Sequence, residues 1–176
     1  MLAIKKCPVP ANTMLRTYAM PGGYVDCYTT EVPGQVPLSE FIFAFYTTSL
    51  FKLERLILKL TVLKPSTDIQ ARQLAGGHIE KFAAWHVENR SENEILLCDL
   101  IGRTRSWLME TPVYTNGAPQ TRLYFGSAVV PVRNSKTGTA SLGFGFRALL
   151  KFHRIYSVLL LYSAKTRIHR QLMRTL

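Results

Sequence analysis

The sequence predicts an α+β fold: one strand, a pair of helices, an antiparallel meander and a long C-terminal helix. Three observations predict it. Runs rich in β-branched and aromatic residues, separated by turn residues, recur between positions 81 and 133. Leu53, Leu56, Ile57 and Leu60 return at the helical period. Residues 142–173, set at about 100° each, sort into an apolar and a basic stripe.

Residues 1–23 form an irregular Pro/Gly-rich lead-in that ends at Pro21-Gly22-Gly23. The first strand spans Tyr24 to Val32 and closes at Pro33-Gly34, turn residues that punctuate a β-branched and aromatic run. Pro37-Leu38-Ser39-Glu40 opens a helix over Phe41–Ser49, and a kink at Thr47-Thr48-Ser49 separates it from a second helix over Leu50–Leu60. Ser66 to Ala75 reads as a short third helix, stopped by Gly76-Gly77. Strands follow at Phe82–Arg90, Glu94–Ile101, Arg103–Val113 and Thr121–Arg133, with Tyr114 to Pro119 as a loop; a complete curved sheet would need one more strand, around His78–Lys81, or else the sheet is a reduced one. Along Arg103–Val113, Trp107 and Met109 share one face while Ser106, Leu108 and Glu110 share the other. The final helix runs from Leu142 to Met173. Its expected packing stripe is Leu149, Phe152, Tyr156, Leu159 and Leu160, with Arg147, Lys151, Arg154 and Lys165 opposite and His153 pointing inward.

The chain of 176 residues reads as a single domain, 1–176, long enough to bury a core without disulfides, and it ends in a basic tail over 165–176. Charge is regional. Residues 1–110 hold 12 Lys+Arg and all 11 Asp+Glu, whereas residues 111–176 hold 10 Lys+Arg and no acid. Such a field favours anionic partners, among them a membrane surface. Nucleic acid is disfavoured because no helix-turn-helix, zinc or aromatic RNA-binding pattern accompanies the charge. Cys7, Cys27 and Cys98 are scattered and odd in number, which argues for a reducing compartment and against a disulfide framework. His78, His86 and His169 lack metal-ligand spacing, no nucleophile elbow is present, and Gly143-Phe144-Gly145-Phe146-Arg147 reads as a helix entrance. No cofactor or metal is expected. No apolar run approaches the length of a membrane-spanning helix, and the start lacks a secretory h-region. A cytoplasmic protein, peripheral to a membrane at most, is expected.

Trp85, the string Gly102-Arg103-Thr104-Arg105-Ser106-Trp107-Leu108, the string Leu123-Tyr124-Phe125-Gly126-Ser127-Ala128-Val129-Val130-Pro131, and Phe152-His153-Arg154 with Tyr156-Ser157 resemble a bacterial family of unknown function placed in the START-related SRPBCC superfamily. The resemblance covers roughly residues 24–162. It implies a helix-grip-like fold, a curved antiparallel sheet packed on the C-terminal helix with an apolar cavity between them. That cavity would take a hydrophobic small molecule or lipid, with Trp85, Trp107, Tyr124, Phe152 and Tyr156 giving shape and Arg105 and His153 giving polar orientation. The same aromatics equally suit a filled core, and a lone inward His equally suits a satisfied core residue. Asp99 and Arg105 are candidates for an ion pair. A cyclase- or dehydratase-like enzyme with His153 as acid and base is an alternative, as is a peripheral membrane or protein-interaction module working through the basic half.

Overall fold

The computed structural model describes residues 4–52, 66–133, 140–141 and 144–175, with side chains described through 4–52, 66–131 and 152–174. Strands are β1 (Lys5–Lys6), β2 (Tyr24–Pro33), β3 (Lys81–Phe82), β4 (Trp85–Arg90), β5 (Glu94–Asp99), β6 (Thr104–Thr115), β7 (Ala118–Val129), β8 (Val132–Arg133) and β9 (Ala140–Ser141). Helices are α1 (Leu38–Tyr46), α2 (Asp68–Ala75) and α3 (Phe144–Thr175), preceded by a 3-10 turn over Met14–Tyr18. The first seven strands form one antiparallel sheet in the order β1-β2-β7-β6-β5-β4-β3, and β8 pairs with β9 alone. The fold class is α+β, with a curved sheet and a C-terminal helix.

Local chemistry explains where elements begin and end. Thr67 caps α2 through a reciprocal capping box with Gln70, and Gly76 closes the helix. Asn116 and Gly117, at φ of 52° and 77°, turn β6 directly into β7, since a hairpin turn of two residues needs positive φ at both. The expected loop over 114–119 is therefore mostly strand, and β6 and β7 run in register from Thr104↔Val129 to Thr115↔Ala118. The strand expected over Phe82–Arg90 is broken at Ala83, at φ 53°, and a bulge at Val87–Asn89 shifts its register on β5. Bulges of this kind bend a sheet. The strand sought near His78–Lys81 is the two-residue β3. Residues 49–52 are helical, and the remainder of the helix expected to Leu60 lies outside the described residues.

Both faces of the sheet are covered. On the inner face α1 is buried almost throughout, with Phe41, Ile42, Phe45 and Tyr46 packed among Ile95, Leu97, Leu108, Leu123 and Phe125. The Phe45 and Phe125 rings lie 4.8 Å apart between centroids, those of Tyr46 and Phe82 5.5 Å. On the outer face the 3-10 turn presses Leu15 onto Cys27, Leu96, Trp107, Met109 and Ala128. The lead-in expected to be merely irregular thus covers a second apolar layer. Gly126 makes this closeness feasible, because a Cβ there would meet Leu15 Cδ2 at 2.3 Å and Trp107 Cε3 at 3.0 Å.

α3 lies against β2 and α1. Its buried residues are Ser157, Leu160, Leu161, Ala164 and Ile168, while Phe152, Ile155, Leu159 and Tyr162 are exposed. The packing stripe is rotated by about 100° from the one expected, one residue's turn of a helix. The segment Ile155–Tyr162 is apolar nearly all round, so periodicity alone does not select a face. Ser157 and Ala164 do: their small side chains let the helix approach its neighbours closely. Leu149 lies outside the described side chains. Among the described residues no helix is long and apolar enough to cross a membrane.

Candidate functional site

The residues that sequence reasoning singled out fall on different sides of the sheet. Trp107 is fully buried on the outer face, where its Nε1 donates to Glu94 Oε2 at 2.6 Å, and Tyr124 packs beside it with ring centroids 6.2 Å apart. Arg105 is also on that side. Its Nε pairs with Glu88 Oε2 at 2.7 Å, and its guanidinium sits 4.6 Å from the centre of the Tyr18 ring. The expected partner Asp99 instead accepts the amide of Arg103 at 2.8 Å, closing the turn between β5 and β6. Trp85 packs at the margin of the inner core, its Nε1 buried without a hydrogen-bond partner among the described residues. Phe152 is 65% exposed and stacks on half-buried Tyr156. These side chains do not line one cavity.

His153 does point inward, toward β2 and β7, and its neighbours are residues the sequence gave no reason to join. Nε2 lies 2.7 Å from Ser127 Oγ and 3.7 Å from Asp26 Oδ2. Asp26 Oδ1 accepts from both the amide and the hydroxyl of Ser127, at 3.1 and 2.6 Å, and its Oδ2 accepts the Tyr24 hydroxyl at 2.8 Å. Ser127 and Asp26 are both buried. A serine hydroxyl has one proton. With that proton on the carboxylate, His153 Nε2 must carry its own hydrogen and donate to Ser127 Oγ. In a hydrolytic triad the carboxylate faces Nδ1 and leaves Nε2 to take the serine proton. Here carboxylate and hydroxyl crowd the same nitrogen, which suits a structural latch between α3 and the sheet. Burial pushes the His153 pKa below its ordinary value of 6.5, Arg154 adds to the depression, and the Asp26 carboxylate opposes both. Burial likewise raises the Tyr24 phenol.

The open chemistry lies on the opposite side of α3. A groove of about 830 Å³ runs along it, floored by Ile4, Pro33, Val158, Leu159 and Tyr162 and ending at Lys165, His169 and Arg170. Glu31, a carboxylate on its wall, is neutralised by Arg122 at 2.7 Å. Burial lowers the Lys165 pKa. A crevice of about 430 Å³ adjoins the groove, lined by Arg167, Arg170 and Arg174 with Thr48, Ser49 and Gln171. Tyr162, Thr166 and Arg170 belong to both depressions. Arg167 is anchored at the end of α1 by donating to the Thr47 carbonyl at 3.1 Å, and its Nε is buried without a hydrogen-bond partner among the described residues. No acid lines the crevice among the described residues. The sequence signal for this site is the acid-free tail, and its apolar half is hidden because helical spacing places Leu159 on the expected packing stripe. Compared with known proteins, the chain matches no protein-family model and no curated protein.

Proposed function

We propose that this protein binds an anionic amphiphile of the lipid class, its apolar chain in the groove along α3 and its charged head on the arginines of the adjoining crevice. One observation carries the reading: the apolar groove and the acid-free crevice share Tyr162, Thr166 and Arg170, so one molecule with a tail and an anionic head spans both. Apolar lining supplies affinity, and a few convergent polar groups supply orientation. Guanidinium groups suit a phosphate or carboxylate head because they offer paired donors.

This reading keeps the ligand class that the helix-grip resemblance implies and moves the ligand outside. The strand order and the position of α1 and α2 between β2 and β3 support that resemblance, and α1 packs among the core residues of the sheet's inner face. Exposed Phe152, Ile155 and Met173 continue the apolar side of α3 beyond the groove, which suits an amphiphile presented by a bilayer as well as a free one.

Calorimetric titration with dodecyl phosphate, dodecyl maltoside and inorganic phosphate tests the reading. Dodecyl phosphate binds at least about tenfold more tightly than either half-ligand if both depressions act together. Sedimentation with phosphatidylglycerol vesicles separates the two sources: binding to vesicles alone assigns the site to a bilayer, binding to the monomeric probe assigns it to a free ligand. Failure of both ends the proposal.

A further inference from the structure

Cys7 follows β1 and lies directly across from Cys27 on β2, continuing the register Lys5↔Thr29 and Lys6↔Tyr28. The Cys7 amide donates to the Cys27 carbonyl at 3.0 Å. Their Sγ atoms are 3.3 Å apart, and both thiols are free. Facing residues of an antiparallel pair are about 4.5–5.5 Å apart at Cα, within the span of a disulfide. The two cysteines differ in access: Cys7 is half-buried, whereas Cys27 is buried against Leu15 and Trp107. Their acidities differ in the same sense, since the hydrogen bond between them lowers the Cys7 pKa and raises that of Cys27. An accessible thiol of lowered pKa beside a second, sheltered thiol is the arrangement that peroxide-reactive cysteine pairs require. Cys98 is buried on another strand, and its pKa is raised by burial.

We infer that Cys7 and Cys27 form a reversible dithiol/disulfide site, with Cys7 the thiol that reacts first with a hydroperoxide and Cys27 the resolving thiol. The Cys7 thiolate attacks the O–O bond, taking one oxygen as a sulfenic acid and releasing the rest as water or an alcohol. The Cys27 sulfur then displaces the hydroxyl from Cys7, which leaves as water as the S–S bond forms. Two thiols are oxidised and one peroxide is reduced. The bridge pins β1 to β2 covalently, and a thiol reductant restores the pair.

The experiment treats the full chain with hydrogen peroxide and follows intact mass, free thiols and disulfide-linked peptides. Expected are the loss of two hydrogens in mass, a fall from three titratable thiols to one, a peptide joining Cys7 to Cys27, and full reversal by dithiothreitol. Cys98→Ser leaves the bridge intact. In Cys27→Ser the Cys7 sulfenic acid persists and is trapped by dimedone, and Cys7→Ser, at the more exposed position, gives a second variant without the bridge. A bridge that includes Cys98, irreversible over-oxidation of Cys7 with Cys27 still present, or three thiols surviving peroxide would each overturn the inference. None of these outcomes bears on the amphiphile groove.

Discussion

The two sides of α3 are built to opposite rules. The inward side presents Ser157, Leu160, Leu161, Ala164 and Ile168, small or aliphatic and buried, with His153 latched to Ser127 and Asp26. The outward side presents Phe152, Ile155, Leu159 and Tyr162, larger on average yet exposed, next to a run of arginines. Hydrophobicity alone does not distinguish them; size and charge company do. The inner side holds the fold, and the other side leaves large apolar side chains exposed, where the proposed amphiphile would lie.

The sharpest way to break this contrast is to truncate one residue on each side. Leu161→Ala removes a fully buried side chain and should cost about 2–5 kcal/mol in urea unfolding, whereas Leu159→Ala should stay within about 0.5 kcal/mol. Equal losses would mean that the outward face is also packed. The polar latch comes next. Asp26→Ala leaves the buried Ser127 hydroxyl without its carboxylate acceptor and strips Tyr24 of its own, so a loss of about 1–3 kcal/mol is expected by the same measurement.

How much of this was legible beforehand differs along the chain. The order of elements was readable because strands and turns carry local signals, as with Pro33-Gly34 at the end of the first strand and Gly76-Gly77 after the helix over 68–75. The inward direction of His153 was readable from helical spacing. Its partners were not, because Asp26 and Ser127 meet it only through the pairing of β2 with β7, a contact between residues about a hundred positions apart that no local pattern encodes. The rotation of the α3 stripe was hidden by an apolar segment with no polar side to orient it. The role of α1 was hidden because a helix apolar all round reads the same whether it fills a cavity or borders one.

A smaller effect sharpens the inner side. The folded protein holds His153 below its ordinary pKa, so between that lowered value and about 6.5 the unfolded chain binds more protons than the folded one. Stability is therefore fullest above about pH 6.5 and declines as the pH falls through that window. Urea midpoints measured from about pH 7.5 to about 5 should fall less steeply in His153→Gln than in the native protein. A steeper fall in the variant would reverse the sign and assign the proton to the folded state. On the outer side, Arg170→Glu should weaken dodecyl phosphate binding about thirtyfold while leaving the urea midpoint nearly unchanged, since one basic residue contributes about 1 kcal/mol toward an anionic surface and reversal counts twice.

The most direct test compares methyl resonances on the two sides during titration with dodecyl phosphate. The outward methyls of Val158 and Leu159 should shift progressively with ligand, while those of Leu161, Leu123 and Leu108 in the inner core stay fixed. Shifts confined to the inner methyls, with Leu159 unmoved, would put the ligand between the sheet and its helices and contradict the account.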